Sequence, residues 1–341
     1  MCVDVLSSEK NISDNMWEYG TYVTEKVEYE SHYVTIRASL GCTPPNRKMD
    51  SEVQNAMKYL VRFGYIEDQD AKVKEIPADI LTKFQEFHGI STTGVLDAAT
   101  LEVMKLPRCR VKDFQPDVSH RSCRHLTMPN SKPLAYNWGK WDKTTLTWRV
   151  TQYSRRSGMP KELVHEGLRR AFNKWERHSP IRFEWVETGV PDIEIRWEME
   201  DHGDGDEFDG EGGTLAHAFL PNGDRISGDL HFDDAEMWTL GTADVGVNLT
   251  QVAAHEVGHS LGMLHSKDPT ALMAPVYRGY MPDFDLCPDD IERIQALYGK
   301  PNPGSELNPV VEKEEKWIPE NSIEPENSIE SRISFWDNWA T

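Results

Sequence analysis

The run His255-Glu256-Val257-Gly258-His259-Ser260-Leu261-Gly262-Met263-Leu264-His265 constrains this chain more than any other feature. Two histidines four residues apart share one face of a helix, so a helix must pass through 255–259. Gly262 can take the left-handed backbone angle that ends such a helix. The chain then turns and brings His265 back as a third ligand. Three imidazoles with one position left to water make an open, catalytic zinc site rather than a closed structural one. Zinc lowers the pKa of its bound water to about 7, and Glu256, beside the first ligand, is placed to take that water's proton and pass it to a leaving amine. Five fixed positions in this spacing arise by chance with odds on the order of one in ten thousand for a chain of this length.

The 341 residues can hold two compact domains, and 38% hydrophobic residues with 11 Trp suffice for real cores. A formal net charge of −20 without a basic face argues against nucleic acid as a partner. No run of about 18 apolar residues supports a membrane span. The first nine residues lack the basic start and apolar core of a secretory signal, which leaves either a chain that is not secreted or an incomplete or alternative form of one that is. Five cysteines (Cys2, Cys42, Cys109, Cys123 and Cys287) stand singly and are odd in number, which is not a disulfide framework.

Along the chain, 1–47 is polar and aperiodic and is expected to be a disordered extension. Val53, Ala56, Met57, Leu60 and Phe63 share one helical face, Ile80, Leu81, Phe84 and Phe87 a second, and Asp97 caps a third short helix carrying Leu101 and Met104. These predict a small helical domain over 48–106. Residues 107–135 read as a linker containing Arg121-Ser122-Cys123-Arg124, a minimal processing pattern. A second domain spans 136–300. Strands are expected around Leu146, Trp148 and Val150, then at 181–186, 193–197, 214–219 and 229–232, with helices around 168–175, 247–259 and 288–298. Residues 301–341, with nine acids, three bases and a doubled Pro-Glu-Asn-Ser-Ile-Glu, read as a disordered acidic tail, whose Phe335, Trp336 and Trp339 offer a docking patch. Asn11 and Asn248 head glycosylation patterns, the second at the start of the zinc helix.

The eleven-residue run resembles the full metzincin signature, and Ala271-Leu272-Met273-Ala274-Pro275 resembles the Met-turn beneath the zinc in that clan. Pro275-Val276-Tyr277 is similar to the wall of the primary specificity pocket in matrix metalloproteinases. A second cluster, 202–217 with 228–236, is similar residue for residue to that family's structural-metal segment. His202, Asp204, His217 and His231 have the donor count of a closed zinc site. Asp209, Asp233 and Glu236 with carbonyls of Gly210, Gly212 and Thr214 supply the oxygen shell of calcium, and the likeness extends to Asp192 and Asp229 for a second calcium. One extra residue between His217 and His231, in the 221–226 turn, loosens the calcium assignment. The stretch 214–219, with Leu215 and Ala216, resembles the sheet-edge strand to which an extended substrate adds by backbone pairing. Gln251, one turn before His255, is a candidate lining of a deep, partly polar pocket.

Pro107-Arg108-Cys109-Arg110-Val111-Lys112-Asp113 resembles the matrix metalloproteinase cysteine switch, in which a thiolate fills the fourth zinc position and Arg and Asp form an internal ion pair. Arg110 stands where the family has Gly and Lys112 where it has Pro, and bulk at 110 predicts a leaky precursor. The resemblance covers about 50–300, with no hemopexin-like propeller after Tyr298 and no fibronectin-type insert between Glu236 and His255, so a minimal form is expected. It implies an α+β fold: a three-helix, peptidoglycan-binding-like prodomain, then a metzincin domain with a five-stranded, mostly parallel twisted sheet and three helices. It further implies a secreted metalloendopeptidase with two zinc ions and calcium, acting in the extracellular matrix on protein substrates including collagen. The family's proteinase inhibitors are possible partners, and a monomer is expected. The alternative is a catalytically weak or inactive zinc protein that binds peptides through the same cleft, and Glu256 discriminates the two.

Overall fold

The computed structural model describes residues 22–29, 32–39, 47–67, 75–114, 139–241, 245–302 and 316–318. The processing pattern at 121–124, Asn11, Cys2, Cys42, Cys123 and the aromatic residues at 335–339 lie outside the described residues. The chain divides into two compact units, Met1–Met57 and Lys58–Thr341.

In the first unit β1 (Tyr22–Tyr29) pairs antiparallel with β2 (His32–Ser39), Val27 opposite Val34. Structure inside the extension expected to have none follows from its Val, Thr, Ile and Tyr content, which suits a pleated ladder. Helix α1 (Arg47–Arg62) contains the boundary between the units.

In the second unit the end of α1, α2 (Ala78–Phe87) and α3 (Ala98–Met104) bury Leu60, Phe63, Leu81 and Phe84. Asp97 caps α3, its Oδ1 accepting the Thr100 N–H at 2.9 Å, as its position before the apolar period predicts. Beyond it, β3 (Arg108–Cys109) joins a sheet with β4 (Thr145–Gln152), β5 (Arg182–Trp185), β6 (Ile193–Glu198), β7 (Thr214–Ala218) and β8 (Leu230–Asp233). The order is β3-β7-β8-β6-β4-β5, and every pair is parallel except β7 with β8. The expected five strands are therefore present, and the segment after the helical domain adds a sixth. Alternation along β4 buries Leu146, Trp148 and Val150, and along β6 Ile193, Ile195 and Trp197.

That buried face packs with α4 (Lys161–Glu176), which contributes Leu168, Phe172 and Trp175, and with α5 (Leu249–Ser260). The Trp175 indole N–H donates to Ala254 O at 2.8 Å and fastens α4 to α5. All twelve residues of α5 are buried. Asn248 caps it, accepting the Gln251 N–H at 2.9 Å, and is itself fully buried, so its glycosylation pattern is out of reach. The short parallel pair β9 (Trp238–Thr239) and β10 (Val247–Asn248) leads into α5, and α6 (Pro288–Tyr298) closes the domain. Within 301–341, expected to be disordered, Trp317 exchanges both backbone hydrogen bonds with Leu240 at 2.9 and 3.0 Å.

Gly258 allows the close approach that fixes the height of α5. A Cβ there would lie 2.2 Å from Met273 Sδ and 2.8 Å from a Trp175 ring carbon. Gly258→Ala is therefore expected to cost about 1–3 kcal/mol as an overpacked core despite the better helix propensity of Ala. Urea unfolding of the zinc-loaded chain measures this; an unchanged or higher midpoint would show that the floor yields freely.

Candidate metal centre and cleft

Helix α5 carries His255 and His259 one turn apart, with their Nε2 atoms 3.1 Å from each other. The helix ends at Gly262, whose φ is 94° and whose missing Cβ avoids a 2.4 Å clash with Gly139 O. This turn returns His265. Each imidazole is oriented from behind: His255 Nδ1 donates to Leu272 O at 2.7 Å, His259 Nδ1 to Met263 O at 2.7 Å, and His265 Nδ1 to Asp113 Oδ1 at 2.8 Å. Acceptors at all three Nδ1 positions require the proton there, so the three Nε2 lone pairs face inwards. Burial lowers the pKa of all three, His255 to about 4, which keeps them in the neutral, ligating form.

Cys109 Sγ completes the group: the four donor atoms lie within 4.8 Å of one another and all four residues are buried. A tetrahedral zinc with nitrogen arms near 2.0 Å needs donors about 3.3 Å apart, close to the 3.1 Å observed between His255 and His259. His265 Nε2 has no protein partner, as a lone pair reserved for a metal would not. Glu256 is fully buried, with Oε2 3.5 Å from the Cys109 thiol and Oε1 without a partner. Burial raises its pKa to about 8, against a lowering by the thiol hydrogen bond.

Met273 is fully buried, its sulfur packed against Gly258 of α5 between the two helix histidines. Its turn is held by a residue the sequence reading missed: Asp290, in the first turn of α6, accepts the N–H groups of Leu272 at 2.8 Å and Met273 at 3.2 Å. The acidic pair following Pro288 at a helix start was the available signal, though it reads first as a cap.

The second donor group also assembles as expected. Asp204 Oδ2 lies 2.6 Å from His202 Nε2, 2.9 Å from His217 Nε2 and 2.8 Å from His231 Nδ1. Burial opposes ionisation of Asp204, but hydrogen bonds from His217 and His231 outweigh it and hold the carboxyl far below its usual range. Of the calcium candidates, Asp233 and Glu236 are buried and their pKa values are raised, to about 6 and about 7, chiefly by burial and then with neighbouring carboxylates contributing. Asp233 Oδ2 has no partner, while Glu236 Oε1 accepts the Gly212 N–H at 2.6 Å. Asp209 is held by Arg62 at 2.6 Å and by Thr214 N–H at 2.9 Å. Asp192 is committed to Lys143 and Thr147, and Asp229 accepts the Glu194 N–H.

Residues 107–110 lie in a groove as an added strand. Arg108 N–H donates to Gly213 O at 2.7 Å and Arg110 N–H to Ala216 O at 2.9 Å, while on the opposite wall Cys109 N–H donates to Pro275 O at 3.0 Å and Tyr277 N–H to Pro107 O at 2.8 Å. Leu215, between the acceptors Gly213 and Ala216, is buried. Gln251 differs from expectation: its amide donates to Gly279 O at 3.1 Å and accepts from Met281 N–H at 2.9 Å, so it braces the 279–281 loop rather than offering a free polar group to the pocket. Arg110 also differs. Its bulk is accommodated, with Nη2 3.3 Å from Asp206 Oδ1.

The sequence pattern of the matrixin family matches residues 140–299, and that of a putative peptidoglycan binding domain matches 49–104. Matrilysin of Rattus norvegicus is 42% identical over 250 residues, covering 73% of this chain and 86% of that protein. The chain belongs to the matrixin family. Human matrilysin is 41% identical over 253 residues (73% and 87%), and mouse stromelysin-1 is 38% identical over 303 residues (86% and 58%). This matrixin is accordingly a zinc metalloendopeptidase of the matrix metalloproteinase type. No helix among the described residues is long and apolar enough to cross a membrane.

In this matrixin the Arg108–Asp113 pair, 2.5 Å long and at most 1% exposed, fixes the inserted strand. Removing one partner of a buried pair costs about 3–5 kcal/mol. Asp113→Ala is expected to lower stability on that scale and to accelerate modification of Cys109 by a disulfide reagent; unchanged thiol kinetics would show that the pair does not hold the strand.

Proposed function

We propose that this matrixin is a cysteine-switch zymogen that, once opened, hydrolyses internal peptide bonds of extracellular matrix proteins, with Glu256 as general base. One observation carries the reading: among the described residues the Cys109 thiol joins the three imidazoles with all four donor atoms within 4.8 Å of one another, and the buried Glu256 carboxylate stands 3.5 Å from that thiol with its second oxygen unpartnered. His255, His259 and His265 would hold the catalytic ion. Zinc, when bound, supplies a Lewis acid that lowers the pKa of water and polarises a carbonyl. The remaining work falls to the protein. Strand β7, which becomes the sheet edge once β3 departs, offers Ala216 O with Gly213 O just before it, and with the wall at 275–277 aligns an extended chain. Pro275 and Tyr277 border the pocket for the residue after the cut. Glu256 accepts the proton of the attacking water and returns it to the leaving amine.

In the closed form Cys109 takes the place of that water. The domains are proposed as 48–106 for the prodomain, 107–135 for switch and linker, 136–300 for the catalytic domain and 301–341 for a tail. His202, Asp204, His217 and His231 are proposed to hold a structural zinc. Asp209, Asp233 and Glu236 with the Gly210, Gly212 and Thr214 carbonyls are proposed to hold calcium; Asp192 and Asp229, already committed to protein donors, are weaker candidates for a second. Secretion and action as a monomer, with family inhibitors among its partners, follow by likeness. Arg110, ion-paired rather than obstructing, supports a precursor tighter than its sequence predicts.

With a quenched peptide substrate, the intact chain is expected to be nearly silent, Cys109→Ser to raise its rate, and cleavage within 115–138 to raise it further. Glu256→Gln is expected to lower the opened enzyme's kcat by a factor of about 10² to 10⁴. A Glu256→Gln enzyme as fast as its parent would overturn Glu256 as the general base, and an opened chain that cuts no peptide would leave only the peptide-binding alternative.

Calcium makes a separate, pH-dependent forecast. Asp233 and Glu236 have folded pKa values near 6 and 7, above the unfolded value of about 4. Between those limits the folded state binds more protons, so without calcium stability falls as pH rises from about 4 to 7. A cation held by ionised carboxylates reverses the slope. Thermal unfolding with and without calcium across that range measures it; identical slopes would remove the calcium assignment.

A further inference from the structure

The strand inserted in the cleft shows what the cleft can hold. Pro107 O accepts from Tyr277 N–H at the wall read as the pocket, and Arg110 follows Cys109 along the inserted strand, away from that wall, with its N–H on Ala216 O and its guanidinium at Asp206. The pocket is read as taking the residue after the cut, so Arg110 marks ground that substrate residues before the cut would cover. Its side chain is 12% exposed, and Nη2 sits 3.3 Å from Asp206 Oδ1. Its buried Nε has no partner. The charged groups facing it are Asp206, Asp209 and Glu207, with Arg62 opposing them. Arg62 occupies Asp209 at 2.6 Å and the Glu207 carbonyl at 3.2 Å, which leaves Asp206 as the direct carboxylate partner of Arg110.

The notch does not depend on Arg110 for its shape. Asp206 N–H donates to Asp204 Oδ1 at 2.8 Å, tying the loop to the second donor group, and the Phe208 ring stacks on His202 at 5.0 Å and His217 at 4.8 Å. When 107–114 departs, a carboxylate remains beside edge strand β7, next to a wall that already accommodates a long aliphatic stem. Arg and Lys suit such a place, burying the stem and keeping the charged head at the rim.

We infer that the notch at Asp206 is a substrate subsite selecting an arginine or lysine side chain at one of the three positions before the scissile bond. Arg110 is then a built-in occupant of that subsite in the closed form. The inference rests on the endopeptidase reading above and adds to it a substrate class, namely polypeptides basic on the amino-terminal side of the cut. Asp206 is 43% exposed, so the preference is modest. An exposed ion pair contributes about 0.2–1 kcal/mol, or roughly 1.4- to 5-fold in relative kcat/KM.

The test uses the full chain loaded with zinc and calcium and opened by limited tryptic cleavage at 121–124. Peptides identical except for Arg, Gln or Glu at each of the three positions before the cut are compared. At one position Arg is expected to exceed Gln by about two- to fivefold and Glu to fall below Gln, with the spread collapsing in high salt. In Asp206→Asn the Arg-to-Gln ratio falls to about one, and in Asp206→Lys the order of Arg and Glu reverses. Binding gives a second readout: a peptide of sequence 105–114 competes for the opened protein, its Arg110→Gln form competes about two- to fivefold less well, and Asp206→Asn removes the difference. Equal rates for Arg, Gln and Glu at all three positions, or an Arg-to-Gln ratio that survives in Asp206→Asn, would overturn the subsite while leaving the endopeptidase in place. Failure of the opened parent to cut any of the peptides would overturn the endopeptidase reading and the subsite together.

Discussion

The carboxylate of Asp113 joins three parts of this molecule that are remote in sequence. Its Oδ1 accepts from Arg108 at 2.5 Å and from His265 Nδ1 at 2.8 Å, while its Oδ2 accepts from Tyr65 at 2.8 Å and again from Arg108 at 3.1 Å. The group is wholly buried, where an ionised carboxylate is tolerated only if every donor is in place. That makes the arrangement nearly all-or-none. A strand shifted by one residue would leave a guanidinium and a carboxylate buried apart, so the register that brings Cys109 to Glu256 is set by Asp113 rather than by the thiol. The same carboxylate fixes the tautomer of His265, one of the three clustered imidazoles.

The metal group itself depends on a second kind of precision. Besides the bond of Asp113 to His265, the three lone pairs converge because main-chain carbonyls of Leu272 and Met263 accept hydrogen bonds from the Nδ1–H groups of His255 and His259. Leu272 belongs to the Met-turn, and Asp290 holds that turn by two of its amides. Imidazole orientation is thus transmitted from α6 through a turn to α5. The absence of a side chain at Gly258 lets Met273 approach closely enough for this to work.

What could be read from the sequence, and what could not, divides by the range of the interaction. Ligands on one helix and its terminating glycine follow from local geometry, and the eleven-residue run specified them without help. Asp204 and the three histidines around it come from a loop and two strands, and only likeness to a family drew them together. The spans of β4, β6, α4 and α6 followed from period because one face of each is buried, whereas α5, β7 and β8 are buried throughout. The hairpin at 22–39 was missed where tyrosines and charged residues blurred the alternation. Gln251 was assigned to the pocket from its place on the helix, but its amide partners lie 28 and 30 residues away in a loop without pattern. The His265–Asp113 bond spans 152 residues, a distance at which no spacing argument reaches.

Arg110 shows that a departure from a family pattern brings its charge to the site as well as its size. In a groove lined by neutral atoms, an arginine in place of glycine would be forced out and would loosen the strand. This chain carries a net charge of −20, and part of that charge, Asp206 to Asp209, stands at the edge of the groove. The substitution therefore meets an attractive field, and the inserted strand gains a contact outside the metal group and outside the Arg108–Asp113 pair. Arg62 does the same from the end of α1, on Asp209, whose other oxygen accepts the Thr214 N–H at the start of β7. The acidity that reads as solubility in the composition serves here to hold two guanidinium groups of the amino-terminal segments against the loop that borders the cleft.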